Sequence, residues 1–176
     1  SKFYYPKGVE LSQDQTFALC VDNLRIRKID ISSGVVSTLA GSTTSGYVDA
    51  TGVNAKFEAA YGVGISDDQT FALVADYSGH RIRKAMLDEY CIEACPANTN
   101  PVQTQPASAK EVLTLAGGSQ GYTDATGTSA RFDFPHGVAV SLDESFALVA
   151  DYNNNRIRKI MVSTGVVTTL AGSGTQ

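Results

Sequence analysis

Phe146-Ala-Leu-Val-Ala-Asp-Tyr152, closely followed by Arg156-Ile-Arg-Lys159, decides the fold, because the chain has already written it twice. Phe71-Ala-Leu-Val-Ala-Asp-Tyr77 precedes Arg81-Ile-Arg-Lys84, and Phe17-Ala-Leu-Cys-Val-Asp22 precedes Arg25-Ile-Arg-Lys28. Other blocks recur in the same order. Thr-Leu-Ala-Gly stands at 38–41, 114–117 and 169–172, and Gly-Tyr-x-Asp-Ala-Thr-Gly-x-x-Ala-x-Phe at 46–57 and 121–132. Self-similarity at a fixed period marks a stack of equivalent supersecondary units. Phe3, Phe57 and Phe132 are equivalent, and their separations of 54 and 75 become nearly equal once an insertion over roughly Asp88–Lys110 is set aside. The unit of about fifty residues divides the chain into 1–55, 56–130 and 131–176, all within one domain.

Within each unit four short runs alternate with Gly, Asp and Asn. In the third they are Gly137–Ser141, Ser145–Ala150, Arg156–Ile160 and Val166–Ala171. β-Branched and aromatic residues crowd these runs, and no stretch carries a helical period, although 50–57 and 125–132 leave room for one short turn. Asp14, Asp68 and Asp143 sit where the first run turns into the second, and an aspartate there bonds its own backbone and holds the turn. Short strands at this period predict an all-β chain: a β-propeller of four-stranded antiparallel blades, three of them present and the ring incomplete in this segment. Propellers close with four to eight blades, so either further repeats or a second copy must complete the ring.

The third unit, Phe132-x-x-Pro-x-Gly-Val-Ala-Val140, Leu148-Val-Ala-Asp151, Asn154-Asn-Arg-Ile-Arg-Lys-Ile160 and Gly165-Val-Val-Thr-Thr-Leu-Ala-Gly172, resembles the NHL repeat. The second unit departs from that pattern at Gly79-His80, and the first is two residues shorter between Asp22 and Arg25. The resemblance implies a propeller that serves as a binding platform.

The repeated charges read first as architecture. Nine of the fourteen basic residues lie in the three Arg-Ile-Arg-Lys blocks, and an aspartate ends the strand before each. The expected ion pairs are Asp22 with Arg25, Asp76 with Arg81 and Asp151 with Arg156, each arginine laying its stem on the next blade and turning its guanidinium to a carboxylate. Asp49 and Asp124 offer one carboxylate per loop, too few for a calcium loop, and are expected to cap the turns before Gly52 and Gly127.

Net charge is −4, which argues against a nucleic-acid partner. No apolar run is long enough to span a bilayer. No catalytic motif of the common hydrolase, phosphate-binding or dinucleotide classes is present, and no cofactor is expected. Cys20 lies in an apolar run and reads as a small buried hydrophobe. The insertion holds Cys91 and Cys95, read as a local disulfide, with Pro96, Pro101 and Pro106. It also holds Thr99, Thr104 and Ser108, candidate O-glycan sites in a secreted setting. The expected function is a non-catalytic protein-interaction or structural scaffold in an extracellular or cell-surface assembly. Its partners are other proteins, further copies or blades of the same protein, or glycans. The alternative is a propeller lyase or hydrolase with a metal in the central channel, for which His136, at the start of an inner strand, is the candidate ligand.

Overall fold

In a computed structural model that describes residues 2–87 and 110–174, the alternating runs form thirteen strands in three antiparallel sheets. The first blade is β1 (Pro6–Leu11), β2 (Phe17–Asp22), β3 (Arg25–Asp30) and β4 (Val36–Gly41), paired in that order. The second runs β6 (Ala60–Ile65), β7 (Phe71–Asp76), β8 (Arg81–Met86) and β9 (Glu111–Gly117). The two-residue β5 (Ala50–Thr51) adds to its outer edge. The third is β10 (Pro135–Val140), β11 (Phe146–Asp151), β12 (Arg156–Met161) and β13 (Val167–Ala171). The two expected short turns are single turns of 3-10 helix, Gly52–Asn54 and Gly127–Ser129.

The sheets stack face to face, and the apolar residues of alternate positions fill the two gaps between them. Phe17, Leu19, Val21 and Ile26 of the first blade meet Phe57, Val63 and Val74 of the second. Phe71, Leu73 and Ile82 of the second meet Phe132, Val138 and Val149 of the third. A blade with neighbours on both sides hides both faces of its strands, so β7 is buried at every position. The inner strands β1, β6 and β10 run side by side, closer than a side chain permits. A methyl group on Gly8 would lie 2.5 Å from the Tyr61 carbonyl oxygen, and one on Gly62 would lie 2.3 Å from that of His136. Glycine is required here for close approach of backbones, not for an unusual φ.

The turns between first and second strands follow the expectation for aspartate. Asp14 Oδ1 accepts from Ser12 Oγ at 2.7 Å and Thr16 N at 3.0 Å. Asp68 and Asp143 do the same with Ser66 and Thr70, and with Ser141 and Ser145. The hydrogen bonds from Ser141 and Ser145 hold the Asp143 carboxyl below the usual carboxylate range, and those from Thr16 and Ser12 do so for Asp14.

Candidate functional site

Two sets of side chains recur by position, and they differ in kind. The first is an arginine–aspartate lattice between blades. Strand pairing sets Asp76 opposite Arg81, and Arg83, two residues on, shares their face of the sheet. Both arginines therefore compete for one carboxylate. Arg81 is drawn to the linker from the preceding blade: its guanidinium stacks 3.5 Å over the Tyr47 ring and donates to the Gly118 carbonyl. Arg83 takes the aspartate. Its Nη1 lies 3.5 Å from Asp76 Oδ2 and 3.0 Å from the Lys56 carbonyl, and its Nη2 reaches Asp49 at 2.6 Å and the Val48 carbonyl at 3.0 Å.

The third blade repeats this atom for atom. Arg158 binds Asp151 at 2.7 Å, Asp124 at 2.6 Å and the carbonyls of Arg131 and Thr123, while Arg156 stacks over Tyr122. In the first blade Arg25 and Arg27 both reach Asp22, at 3.1 and 3.3 Å. The structure thus brings Asp22 and Arg25 together as expected. Asp76 and Arg81, like Asp151 and Arg156, are cross-strand neighbours, and the charge of Arg81 acts on Asp76, but the direct ion pair is made by the second arginine of each block, Arg83 and Arg158. Asp49 and Asp124 also depart from expectation. They cap no turn; each ties the linker to the next blade's arginine and to the backbone N–H of Thr114 or Thr169. The recurrent Gly-Tyr-x-Asp block was the available signal for both roles, because a tyrosine and an aspartate repeated in a linker require a repeated partner.

Each lattice aspartate uses its other oxygen to hold the start of its own inner strand. Asp22 accepts from Tyr4 N, Asp76 from Glu58 N and Ala59 N, and Asp151 from Asp133 N. Burial raises the Asp76 carboxyl above its ordinary value, against the hydrogen bond from Ala59 and the charge of Arg83.

The second set lies where the inner strands begin, at the edge that would border the channel mouth of a closed propeller. Lys7, Tyr61 and His136 occupy the same position in the three blades, and at that position the register of each inner strand slips. Such slips re-aim side chains. Lys7 Nζ sits 3.4 Å over the Tyr61 ring, Tyr61 stacks on Tyr77 at 4.2 Å, Tyr77 packs on Phe134 at 4.6 Å, and Phe134 packs on His80 at 4.7 Å. His136 is exposed and stands against Tyr61 and Tyr152. His80 Nδ1 accepts the Phe134 N–H at 3.2 Å. Phe134, at φ +52°, and Tyr5, at φ +66°, hold left-handed backbone that bulky side chains disfavour. Backbone of this kind persists where the surroundings over-determine it, and it concentrates at functional sites. Burial raises the Tyr77 hydroxyl above its ordinary value.

His136 stands at this edge, and its ring neighbours are aromatic. Among the described residues no three of His, Cys, Asp and Glu converge on a point where a metal could sit. Cys20 is buried with a free thiol, and burial pushes that thiol up. Cys91, Cys95, Thr99, Thr104 and Ser108 lie outside the described residues. Among the described residues no helix is long and apolar enough to cross a membrane.

Four-stranded sheets stacked about shared inner strands, stapled by linkers that cross from one blade to the next, define an open β-propeller segment. Residues 132–160 match the NHL repeat, and the chain resembles the NHL-repeat β-propellers. It is similar to human NHL repeat-containing protein 2, at 26% identity over 96% of this chain and 22% of that protein. The chain thus spans about a fifth of the length of the curated relatives it matches. Among solved structures it resembles a Bacteroides thetaiotaomicron protein of unknown function, with TM-score 0.67 and 17% identity over 97% of this chain and 36% of that one. It also resembles a chain of the nidogen/laminin complex, with TM-score 0.60 and 12% identity over 94% of this chain and 48% of that one.

Proposed function

We propose that this chain is a non-catalytic scaffold that binds another protein through the ridge at the channel mouth. The observation that carries the reading is a contrast between two equally periodic sets. The lattice residues are the same in successive blades and are consumed internally, each guanidinium by its own carboxylates and carbonyls. The ridge residues share one geometry but differ from blade to blade: Lys7, Tyr61 and His136 at one position, Tyr5, Ala59 and Phe134 at another. Sameness serves the wheel, and difference at a fixed place gives a surface specificity. Partly exposed aromatic side chains with a cation among them are the composition of interaction hot spots. The nidogen/laminin complex supplies a propeller-like chain in a protein assembly.

The setting we propose is extracellular or at the cell surface. It rests on the composition of the insertion: Cys91 and Cys95, read as a disulfide, and Thr99, Thr104 and Ser108, read as O-glycan sites.

The test compares the full natural protein with a Lys7→Ser, His136→Ser, Tyr152→Ser variant of unchanged thermal stability. The proteins that co-purify from the secreted and surface fractions are quantified for both. The reading expects the variant to lose specific partners. An unchanged partner set refutes the ridge, and retention of the protein in the cytosol refutes the setting.

A further inference from the structure

Backbone N–H groups fasten the entry to each inner strand, and the third blade is fastened differently from the second. In the second blade Asp76 Oδ1 accepts both Glu58 N and Ala59 N at 3.0 Å. In the third, Asp151 Oδ1 accepts Asp133 N at 2.7 Å, but the next N–H, that of Phe134, turns away from it. It donates instead to His80 Nδ1 at 3.2 Å, on the turn between β7 and β8 of the preceding blade. Phe134 reaches that acceptor with φ at +52°, whereas Ala59, at the same position, stays out of the left-handed region. A bond made within one blade has become a bond between two, with a strained backbone.

That bond exists in one protonation state only. An imidazole nitrogen accepts through its lone pair, so the neutral His80 ring carries its proton on Nε2. A proton added to Nδ1 makes it a donor facing another donor, and the bond to Phe134 is lost. A replacement stands on each side. Asp133 Oδ1 lies 3.9 Å from Nδ1, held in place by Gln120 Nε2 at 3.1 Å. Asp151 Oδ1 is the counterpart of the oxygen that takes the second N–H in the preceding blade. The other titratable groups around His80 are committed elsewhere. On its own turn and strand Asp76 is held by Arg83, Arg81 stacks over Tyr47, and the Tyr77 ring packs against Tyr61. His136 of β10 stands 6.1 Å from the Tyr77 ring. The His80 side chain is 17% exposed, so protons from solvent reach it.

We infer that His80 is a proton-operated latch between the second and third blades. With the ring neutral, it holds the Phe134 N–H. With the ring charged, Nδ1–H turns to Asp133, and the Phe134 N–H passes to Asp151 as that of Ala59 does to Asp76. Phe134 then leaves the left-handed region, and its ring moves from its places 4.6 Å from Tyr77 and 4.7 Å from His80. The ridge thus has two forms selected by pH. As control over partner binding the latch rests on the ridge reading proposed above; the exchange of hydrogen bonds does not.

The experiment is fluorine NMR of the full natural protein carrying 4-fluorophenylalanine at position 134, followed from about pH 5 to about pH 8, the range in which histidines change charge. The expected result is a resonance that moves through a single-proton transition. His80→Asn, which supplies the residue that the third blade holds at Asn155 with φ +50°, is expected to abolish it. His136→Gln is expected to retain it. Asp133→Asn removes the acceptor of the charged form and is expected to lower the midpoint by about half a pH unit or more. Thermal melts at the upper pH establish that each variant is folded. A flat wild-type profile overturns the proposal, and so does a transition that survives His80→Asn or disappears with His136→Gln. If His80→Asn does not fold, Asp133→Asn decides, and an unmoved midpoint overturns the latch. The titration uses no partner. A transition as expected, beside an unchanged partner set for the triple ridge variant, would strike the ridge as a binding site and leave the latch standing; a flat profile beside lost partners would do the reverse.

Discussion

Replacing Asp151 by alanine tests the lattice at its most enclosed point. Asp151 and Arg158 are both fully buried, 2.7 Å apart, and the carboxylate also receives Asp133 N at 2.7 Å and Asn154 Nδ2 at 2.8 Å. Removing one member of a buried pair costs about 3–5 kcal/mol, since the remaining charge loses its compensation. Arg158 would keep Asp124 at 2.6 Å and two carbonyls, so the low end applies, about 3 kcal/mol. In a domain of this size that corresponds to a fall in Tm of about 6–12 °C. Asp151→Asn keeps an oxygen for the Asp133 N–H and loses only the charge, and is expected to cost about half as much. Asp151→Ala combined with Arg158→Met removes the stranded guanidinium and should recover most of the loss, because a buried pair replaced by packed apolar groups is often neutral. The assay is urea unfolding followed by circular dichroism for the four proteins. A loss below about 1 kcal/mol for Asp151→Ala, or a double variant no more stable than the single, would refute the claim that these charges brace the blades.

Three further outcomes follow from the geometry. Gly62→Ala forces a methyl group to 2.3 Å from a backbone oxygen and should destabilise by about 1–3 kcal/mol in thermal melts, whereas Gly137→Ala, with 4.0 Å of room, should leave the single chain unchanged. Phe132→Ala empties a filled site between blades and should cost about 3–5 kcal/mol, and in this 176-residue segment Phe3→Ala far less, since Phe3 meets solvent there; equal losses would contradict the packing of Phe132 between blades. For pH, the folded-state carboxyl of Asp143 lies below its ordinary value of 3.8. Its hydrogen-bonded turn therefore adds stability above that value and loses it as pH falls through the folded pKa. The Tm gap between wild type and Asp143→Ala should narrow on acidification below that value, and a gap constant with pH would show that the turn owes nothing to ionisation.

Much of the wheel was legible before any coordinates. The order of the blocks, the alternation within them and the aspartates at the turns specify four strands per unit and their register, because strand pairing and turn geometry are local consequences of neighbouring residues. The recurrence of Asp before Arg-Ile-Arg-Lys also announced an ion pair, and in the first blade Asp22 and Arg25 do meet. Which arginine takes the carboxylate elsewhere was not legible. Arg81 and Arg83 share a face, and the choice between them is made by Tyr47 and Asp49, more than thirty residues away on a linker that reaches them only when the blades stack. The channel-mouth ridge was hidden for the same reason, since Lys7, Tyr61 and His136 are neighbours only across three sheets. Sequence by itself determined the repeat, the strands and the inventory of charges. The stacking of the blades decided the partners, because those contacts join residues far apart in the chain and depend on how each sheet meets the next.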